Sequence, residues 1–364
     1  MNKKFLSLAV AAALAAPAAA MAEATIYGTL HMSLDYVDTD ANAYWGAPPT
    51  NNQGRKIGDD FKGWGLGTNA RSNRVGLKGS EDLGNGLKAI YQVEFAVGLA
   101  NEDSDIDNGD SSSIKMRNSY VGLAGGWGTA LMGRHDTPLK MSTGKLDLFS
   151  DTLADYNHTV GFQDIRADSA VAYVSPNWSG FNFAAAVIPS AGATPTGIYN
   201  PDADGIADAW SVAATYDNGP FFASAAYERL GDEHWDALTS DPQDFNKYRF
   251  GLGLLNYSGF TVAGIYEHWN DAAGIDDNDL DLWQIQAQYA FGNNAVKGMY
   301  GGVSSDLRLA ELIDRDDENK NTWAIGLDHN FSKRTRAYIL YTSLNDDQPD
   351  ADWNGFSLGM IHKF

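Results

Sequence analysis

The chain has 364 residues, no cysteine and a formal net charge of −21 at pH 7. This acidic balance excludes proteins that bind nucleic acid through a basic surface, and it leaves no polybasic patch for anionic lipid. The lack of thiols is compatible with export to an oxidising compartment, where free thiols would mispair.

The first residues have the three parts of a secretory signal peptide. Lys3 and Lys4 precede an Ala-rich apolar stretch that ends in Ala20-Met21-Ala22. A membrane anchor helix is the alternative, but Pro17 would break it and no basic stop-transfer run follows. We expect cleavage after Ala22, which leaves residues 23–364 as one domain. Without Lys3 and Lys4 this domain keeps 24 basic side chains against 47 acidic ones, a net charge of −23.

Beyond the signal, no stretch approaches the ~18 consecutive apolar residues of a membrane-spanning helix. Segments of about ten residues instead alternate between apolar and polar side chains. The clearest are 89–97, 283–291 and 323–331, with aromatic residues near their ends. This pattern is typical of transmembrane barrel strands, although a soluble antiparallel sheet alternates in the same way.

The connections between the alternating segments separate these two interpretations. Seven short turns, most of them rich in Asn and Gly, lie at 83–86, 125–128, 177–180, 217–219, 257–259, 292–294 and 332–334. Eight long, acidic loops lie between them, at roughly 39–65, 98–112, 137–165, 191–208, 232–245, 271–280, 306–321 and 346–352. Fifteen connections imply sixteen strands. Strict alternation of short turns with long loops is the arrangement of outer-membrane barrels, which have short periplasmic turns and long extracellular loops. We therefore predict an all-β fold, a sixteen-stranded antiparallel transmembrane barrel with an aqueous lumen.

Several segments, taken in order, resemble the strands of Gram-negative general diffusion porins. They are 74–86 (RVGLKGSEDLGNG), 117–123 (RNSYVGL) followed by Gly133-Arg134, 168–176 (DSAVAYVSP) with 179–181 (SGF), and the C-terminal 359–364 (GMIHKF). No single motif is specific, but their order and spacing are. The resemblance covers the layout of the whole mature chain and is sharpest over 70–182. It implies a passive channel for small hydrophilic solutes and ions in the outer membrane.

The resemblance also implies a homotrimer whose third long loop folds into each barrel. Carried over by position, a basic wall of the pore constriction would consist of Arg74, Arg117, Arg134 and Arg166. The acids facing it would be Asp147, Asp151 and Asp155 of the loop 137–165. That loop departs from the Pro-Glu-Phe-Gly-Gly stretch of enterobacterial members and reads LDLFSDT over 146–152, so the identity of its acids is the weaker part of the assignment.

The resemblance further implies that the terminal Phe364 is the signal for the barrel-assembly machinery. Periplasmic chaperones, outer-membrane lipid and lipopolysaccharide are the other partners it implies, and nucleic acid is not among them.

Strand parity supports the lumen position of Arg74 from the residues themselves. Arg74 shares a face with Ser72, Gly76 and Lys78, whereas Val75 and Leu77 face the other way. An arginine facing lipid near the bilayer midplane would cost roughly 2–4 kcal/mol. Two charges on one face therefore indicate the lumen. Arg134 fits less well, because Met132 shares its parity.

Other groups of charged residues are weaker evidence for a metal site. Asp103, Asp105 and Asp107, and the run 202–205 (DADG), are similar to calcium loops but lack the Gly and Glu at the positions that an EF-hand requires. Glu-His-Trp triplets at 233–235 and 267–269 lie near strand ends and fit rim residues better than a metal site. We predict no cofactor, with loop-bound calcium as the alternative.

Other functions stay open at this point. A substrate-selective porin would need an extra binding site in the lumen, which the sequence does not exclude. A barrel enzyme such as a lipase or protease would need a Ser-His or Asp-His pair at one rim, and an adhesin or structural barrel is the third class. No G-x-S-x-G, H-E-x-x-H, Walker A or G-x-G-x-x-G motif occurs, so we predict a channel and not an enzyme. The net charge favours cations, and the basic wall opposes this preference.

Overall fold

The structure, a computed structural model, describes residues 24–40, 61–67, 73–99, 114–189, 204–235, 241–306, 319–347 and 351–364. Within these ranges sixteen antiparallel strands form one closed barrel. The predicted fold class and strand number are confirmed. The predicted signal peptide, residues 1–22, lies outside the described residues, and cleavage after Ala22 stays a prediction.

The strands follow one another around the barrel in chain order. They are β1 Thr25–Thr39, β2 Phe61–Gly67 with Arg74–Gly84, β3 Leu87–Val97, β4 Ile114–Met116 with Ser119–Gly125, β5 Gly128–Asp136, β6 Arg166–Val174, β7 Phe181–Ile188, β8 Ala209–Asn218, β9 Phe221–Leu230, β10 Phe245–Tyr257, β11 Phe260–Asn270, β12 Asp279–Phe291, β13 Asn294–Asp306, β14 Asn319–Asn330, β15 Thr335–Asp346 and β16 Trp353–Lys363. Both segments of β2 pair with β1, and both segments of β4 pair with β3, so each counts as one strand.

The barrel closes where β1 pairs with β16. In this closing pair Thr29 lies opposite Lys363 and Thr39 lies opposite Trp353. Tight turns and long connections alternate around the barrel, as the sequence predicts. The turn after β2 shows why Asn and Gly occur there, since Asn85 and Gly86 both have positive φ, of 53° and 77°. These residues adopt that conformation at the lowest cost, which suits a two-residue hairpin.

Successive side chains point alternately to lipid and to the lumen. On β12, Gln284 and Gln286 are buried on the inner face, whereas Ile285 is 57% exposed on the outer face. Aromatic residues of neighbouring strands touch on the outer face, for example Trp283 and Tyr300, whose ring centroids are 5.3 Å apart. The alternation predicted for these strands is therefore the division between lipid and lumen.

The third long connection folds into the barrel, as predicted. This segment, residues 137–165, is called loop 3 below. It contains two short helices, α1 Pro138–Thr143 and α2 Tyr156–Thr159. Two 3₁₀ turns, Asp232–His234 and Ala272–Gly274, lie in later connections. None of the helices within the described ranges is long and apolar enough to cross a membrane.

The last residue completes the closing strand pair. The Gly28 N–H donates to the Phe364 carbonyl at 3.0 Å, and the Phe364 N–H donates to the Gly28 carbonyl at 3.1 Å. The Phe364 ring lies over Gly28, where a Cβ atom would come within 2.4 Å of it. Phe364 therefore has a structural contact in the finished barrel in addition to its predicted role in assembly.

We expect deletion of Phe364 to lower the amount of folded protein recovered from outer membranes. The deletion removes two closing hydrogen bonds, worth about 1 kcal/mol each, and the aromatic end that the assembly machinery is predicted to recognise. Phe364→Tyr is the matched control because it keeps the ring and both bonds. Heat-modifiable mobility on gels measures the folded fraction. A deletion variant with the yield of the control contradicts the prediction.

Candidate functional site

Loop 3 packs against the wall formed by β8 to β16. Leu146 and Phe149 have no exposed surface, and Leu153 is 5% exposed. Each fits over a glycine of the wall. A Cβ atom added to Gly251 would lie 2.7 Å from Leu146, and one added to Gly355 would lie 2.7 Å from Leu153. The missing side chains provide the space that the loop fills, and full burial of such apolar side chains contributes roughly 1.5–3 kcal/mol each.

Polar side chains of the same wall hold the backbone of loop 3. Gln286 on β12 accepts a hydrogen bond from the Leu148 N–H at 2.8 Å. Lys297 on β13 donates to the Leu148 carbonyl at 2.7 Å. At the start of the loop, Ser211 on β8 accepts from the Leu139 N–H at 3.0 Å. The loop therefore satisfies its backbone groups with lumen side chains, as a buried loop must.

A buried ion network holds the returning half of loop 3. Arg249 on β10 donates to Asp164 at 2.7 Å and forms an ion pair with Glu267 on β11. Tyr156 donates its hydroxyl to the other Asp164 oxygen at 2.5 Å. Lys247 donates to the Gln163 carbonyl at 3.1 Å. Arg249 and Glu267 are fully buried, so removing either one would leave a buried charge without its partner.

The opposite side of the lumen carries the four predicted arginines. Arg74 lies on β2, Arg117 between the two segments of β4, Arg134 on β5 and Arg166 on β6. Glu94 on β3 lies between the first two, 2.8 Å from Arg117 Nε and 3.9 Å from Arg74 Nε. The structure therefore brings these arginines to one wall, together with an acid that the sequence analysis did not select.

Each of the other two arginines also has an acidic partner. Arg166 Nε lies 2.9 Å from Asp136 Oδ1, and Asn118 bridges the pair by bonding to both residues. Arg134 forms an ion pair with Asp168, whose side chain is 79% exposed. Strand parity could have identified two of the three acidic partners from the sequence. Glu94 and Asp168 lie on the strand faces that carry lumen residues.

The parity conflict between Arg134 and Met132 is explained by an irregularity in β5. Gly133 has a φ of 141°, and the pairing of β5 with β6 shifts between Gly133 and His135. This bulge interrupts the alternation. Met132 is 59% exposed on the outer face, whereas Arg134 borders the cavity inside the barrel.

The three predicted acids of loop 3 differ in their surroundings. Asp151 Oδ2 lies 3.9 Å from Arg74 Nη1, and its side chain is 35% exposed. Asp147 and Asp155 are buried and bind the loop's own backbone. Burial and the neighbouring Asp151 raise the pKa of Asp155 to about 6. Burial, together with Asp155, also raises the pKa of Asp147.

A cavity of about 740 Å³ separates loop 3 from the arginines. It is bordered by Arg117, Arg134 and Arg166 on one side and by Asp147, Asp151 and Asp155 on the other. The gap therefore has opposite charges on opposite sides. Within the described ranges, no cluster of three or more His, Asp or Glu side chains could hold a metal ion. The calcium-like Asp103, Asp105 and Asp107 lie outside those ranges.

Comparison with known proteins identifies the family. The family model described as Gram-negative porin matches residues 7–349. The chain belongs to the Gram-negative porin family. It is an outer-membrane channel protein of a Gram-negative bacterium, as the sequence predicts.

Individual relatives are distant but cover the whole porin. The chain is 28% identical to the major outer membrane protein P.IB of Neisseria meningitidis serogroup B, with 100% of both chains aligned. It is 26% identical to an outer membrane porin protein of Bordetella pertussis, again over both full lengths. Its fold is similar to that of an anion-selective porin from Comamonas acidovorans, with a TM-score of 0.68, 23% identity and coverage of 94% and 99%. Salmonella typhi OmpF has a TM-score of 0.65 at 15% identity, with coverage of 94% and 97%.

We expect Gly251→Val to displace loop 3 and to raise the single-channel conductance of this porin. The new Cβ would lie 2.6 Å from Ser224 Oγ and 2.7 Å from Leu146 Cδ1. Overpacking of this kind costs about 1–3 kcal/mol, which the displaced loop would relieve. Gly264→Val on the next strand is the control, since its nearest neighbour would be 3.8 Å away. Equal conductance of the two folded variants would show that the loop stays docked.

Proposed function

We propose that this porin conducts small hydrophilic solutes and ions passively, and that the gap between loop 3 and the arginine wall is its constriction. The observation that carries the proposal is the cavity of about 740 Å³ inside the barrel, which is bordered by Arg117, Arg134 and Arg166 of the wall and by acids of loop 3, Asp151 among them. On this proposal, a solute that crosses the lumen at this level passes through the cavity and meets both sets of charges.

The field across the gap is strong enough to orient solutes. Two unit charges about 8 Å apart interact by ~0.5 kcal/mol in water and by ~2 kcal/mol at an effective dielectric constant of 20. Such energies exceed or approach thermal energy without trapping an ion. Zwitterionic and dipolar solutes would therefore align across the gap and still leave it.

Acidic residues beside the arginines reduce the preference for anions that the arginines alone would give. Glu94, Asp136 and Asp168 each contact an arginine, so part of the positive charge is compensated where it arises. The net charge of the mature chain is −23, which raises the concentration of cations near the mouth. We therefore propose a modest cation preference.

We also propose that the channel is a homotrimer. Vibrio cholerae OmpT, a fold relative with a TM-score of 0.60 and 16% identity, is described in a trimer form. The expected assembly is resistant to SDS and dissociates on heating. Cross-linking in mild detergent that yields only monomer would contradict it. Lipopolysaccharide, the assembly machinery and periplasmic chaperones are the further partners we propose, since any outer-membrane barrel crosses the periplasm before it meets the outer leaflet.

Reversal potentials in a salt gradient test the constriction. Neutralising the predicted loop acids with the double variant Asp147→Asn and Asp151→Asn should shift selectivity towards anions. Neutralising the wall with Arg74→Gln and Arg117→Gln should shift it towards cations. Asp281→Asn is the charge-matched control, because Asp281 shares the outer face of β12 with Ile285.

The outcome separates the candidate functions. Both double variants should move the reversal potential in opposite directions, and the control should not. If both conduct with the parent potential, these charges do not line the constriction. Competition by one solute class for the ionic current would instead support a substrate-selective porin.

A further inference from the structure

We propose that Asp155 is a positioning residue that sets the conformation of Asp151 and so acts on ion selectivity only through it. The inference rests on the proposed function, because it assumes that Asp151 faces the permeating ions. On this inference, Asp151 is the loop acid that faces the pore, whereas the carboxylates of Asp147 and Asp155 hold the backbone of loop 3.

Asp151 has an unusual backbone conformation. Its φ is 61°, in the left-handed region that residues other than Gly adopt infrequently, although Asp tolerates it better than most. In this conformation its N–H donates to Asp155 Oδ2 at 2.7 Å. Its side chain then extends towards β2, where Oδ2 lies 3.9 Å from Arg74 Nη1. The hydrogen bond from the Asp151 N–H to Asp155 therefore fixes the backbone conformation that directs the Asp151 carboxylate towards Arg74.

Asp155 is engaged on both oxygens. Oδ2 accepts from Asp151, and Oδ1 accepts from the backbone N–H of Asn157 at 2.9 Å and from its side-chain amide at 3.0 Å. By accepting from the Asn157 N–H, Oδ1 caps the N-terminus of α2. This cap anchors Asp155 to the returning half of loop 3. A permeating cation would have to displace three donors to reach this carboxylate. Asp155 is also only 6% exposed.

Asp147 provides the comparison within the same loop. It is similarly buried, at 9% exposure, and its Oδ1 accepts from the Phe149 N–H at 2.9 Å. It makes no described hydrogen bond to the backbone of Asp151. Substitution of Asp147 therefore removes a nearby carboxylate of similar depth without releasing the Asp151 N–H.

The raised pKa values of Asp147 and Asp155 agree with this division. Two buried carboxylates that repel each other hold protons more tightly than exposed ones. Asp151 is the most exposed of the three predicted loop acids, with 35% of its side chain exposed against 9% for Asp147 and 6% for Asp155.

The experiment compares reversal potentials of the full-length trimer in planar bilayers for Asp151→Asn, Asp155→Ala, both together, and Asp147→Asn. We expect Asp155→Ala to reproduce at least about half of the anion-directed shift of Asp151→Asn, and the double variant to match Asp151→Asn alone. Coupled residues give such non-additive changes, whereas independent charges add. We expect Asp147→Asn to give the smallest shift of the set.

Each outcome decides between the proposals. If Asp151→Asn leaves the reversal potential unchanged, the proposed constriction fails. If Asp151→Asn shifts it and Asp155→Ala does not, or if Asp155→Ala adds a further shift in the double variant, the constriction stands and the positioning role of Asp155 is wrong. Single-channel conductance checks that loop 3 is still docked, since an undocked loop raises conductance and a redirected Asp151 does not.

A second variant keeps the test available if Asp155→Ala does not assemble. Asp155→Asn has almost the same shape but one acceptor oxygen, so it can hold either the Asp151 N–H or the α2 cap. We expect a smaller shift of the same sign that disappears in the Asp151→Asn background. A shift that persists there overturns the proposal.

Discussion

The structure depends on one constraint, which is that backbone N–H and C=O groups inside a bilayer have no water to bond. The pairing of β1 with β16 meets this constraint by leaving no open sheet edge, and the two hydrogen bonds between Gly28 and Phe364 extend it to the last residue. A closed sheet of sixteen strands is too wide for its own side chains to fill. The lumen is therefore open to water unless another part of the chain enters it, and loop 3 is that part.

The same constraint explains how loop 3 is held. A loop that enters a barrel must bond its backbone to the wall or to itself, and both solutions occur. Gln286 and Lys297 bond the two backbone groups of Leu148, while Asp147 and Asp155 bond backbone N–H groups of the loop. Glycines on β10 and β16 leave space for Leu146 and Leu153. Because the loop occupies one side, the remaining opening lies against the arginines.

The fold was predictable from the sequence because its signals are local. A period of two and short turns at regular intervals depend on neighbours in the chain, as the turn at Asn85 shows. Arg74 was predictable for a related reason, since strand parity identifies the inner face, whereas Arg117, Arg134 and Arg166 followed from the resemblance to porins. What the sequence could not supply was contact between distant segments. The pairing of Arg117 with Glu94 and of Arg249 with Asp164 depends on strand register and on the path of loop 3. At Gly133 a local bulge interrupts the alternation, so parity alone would have placed Arg134 on the same face as Met132.

The charge at the proposed constriction depends on which charged side chains are already engaged in hydrogen bonds or ion pairs within the protein. Arg249, Glu267 and Asp164 hold the loop, and Arg249 compensates the charge of one of the two carboxylates within this network. Asp147 and Asp155 are largely buried and bound to backbone N–H groups, although both border the cavity. Asp151 is the most exposed of the three predicted loop acids at the gap, and Glu94, Asp136 and Asp168 compensate part of the arginine charge that faces it. Counting charged residues along the chain would assign four acids of loop 3 and four arginines of the wall to the pore. The hydrogen bonds and ion pairs reduce both, so on the proposed function selectivity would rest on the few charges that the folded chain leaves facing water.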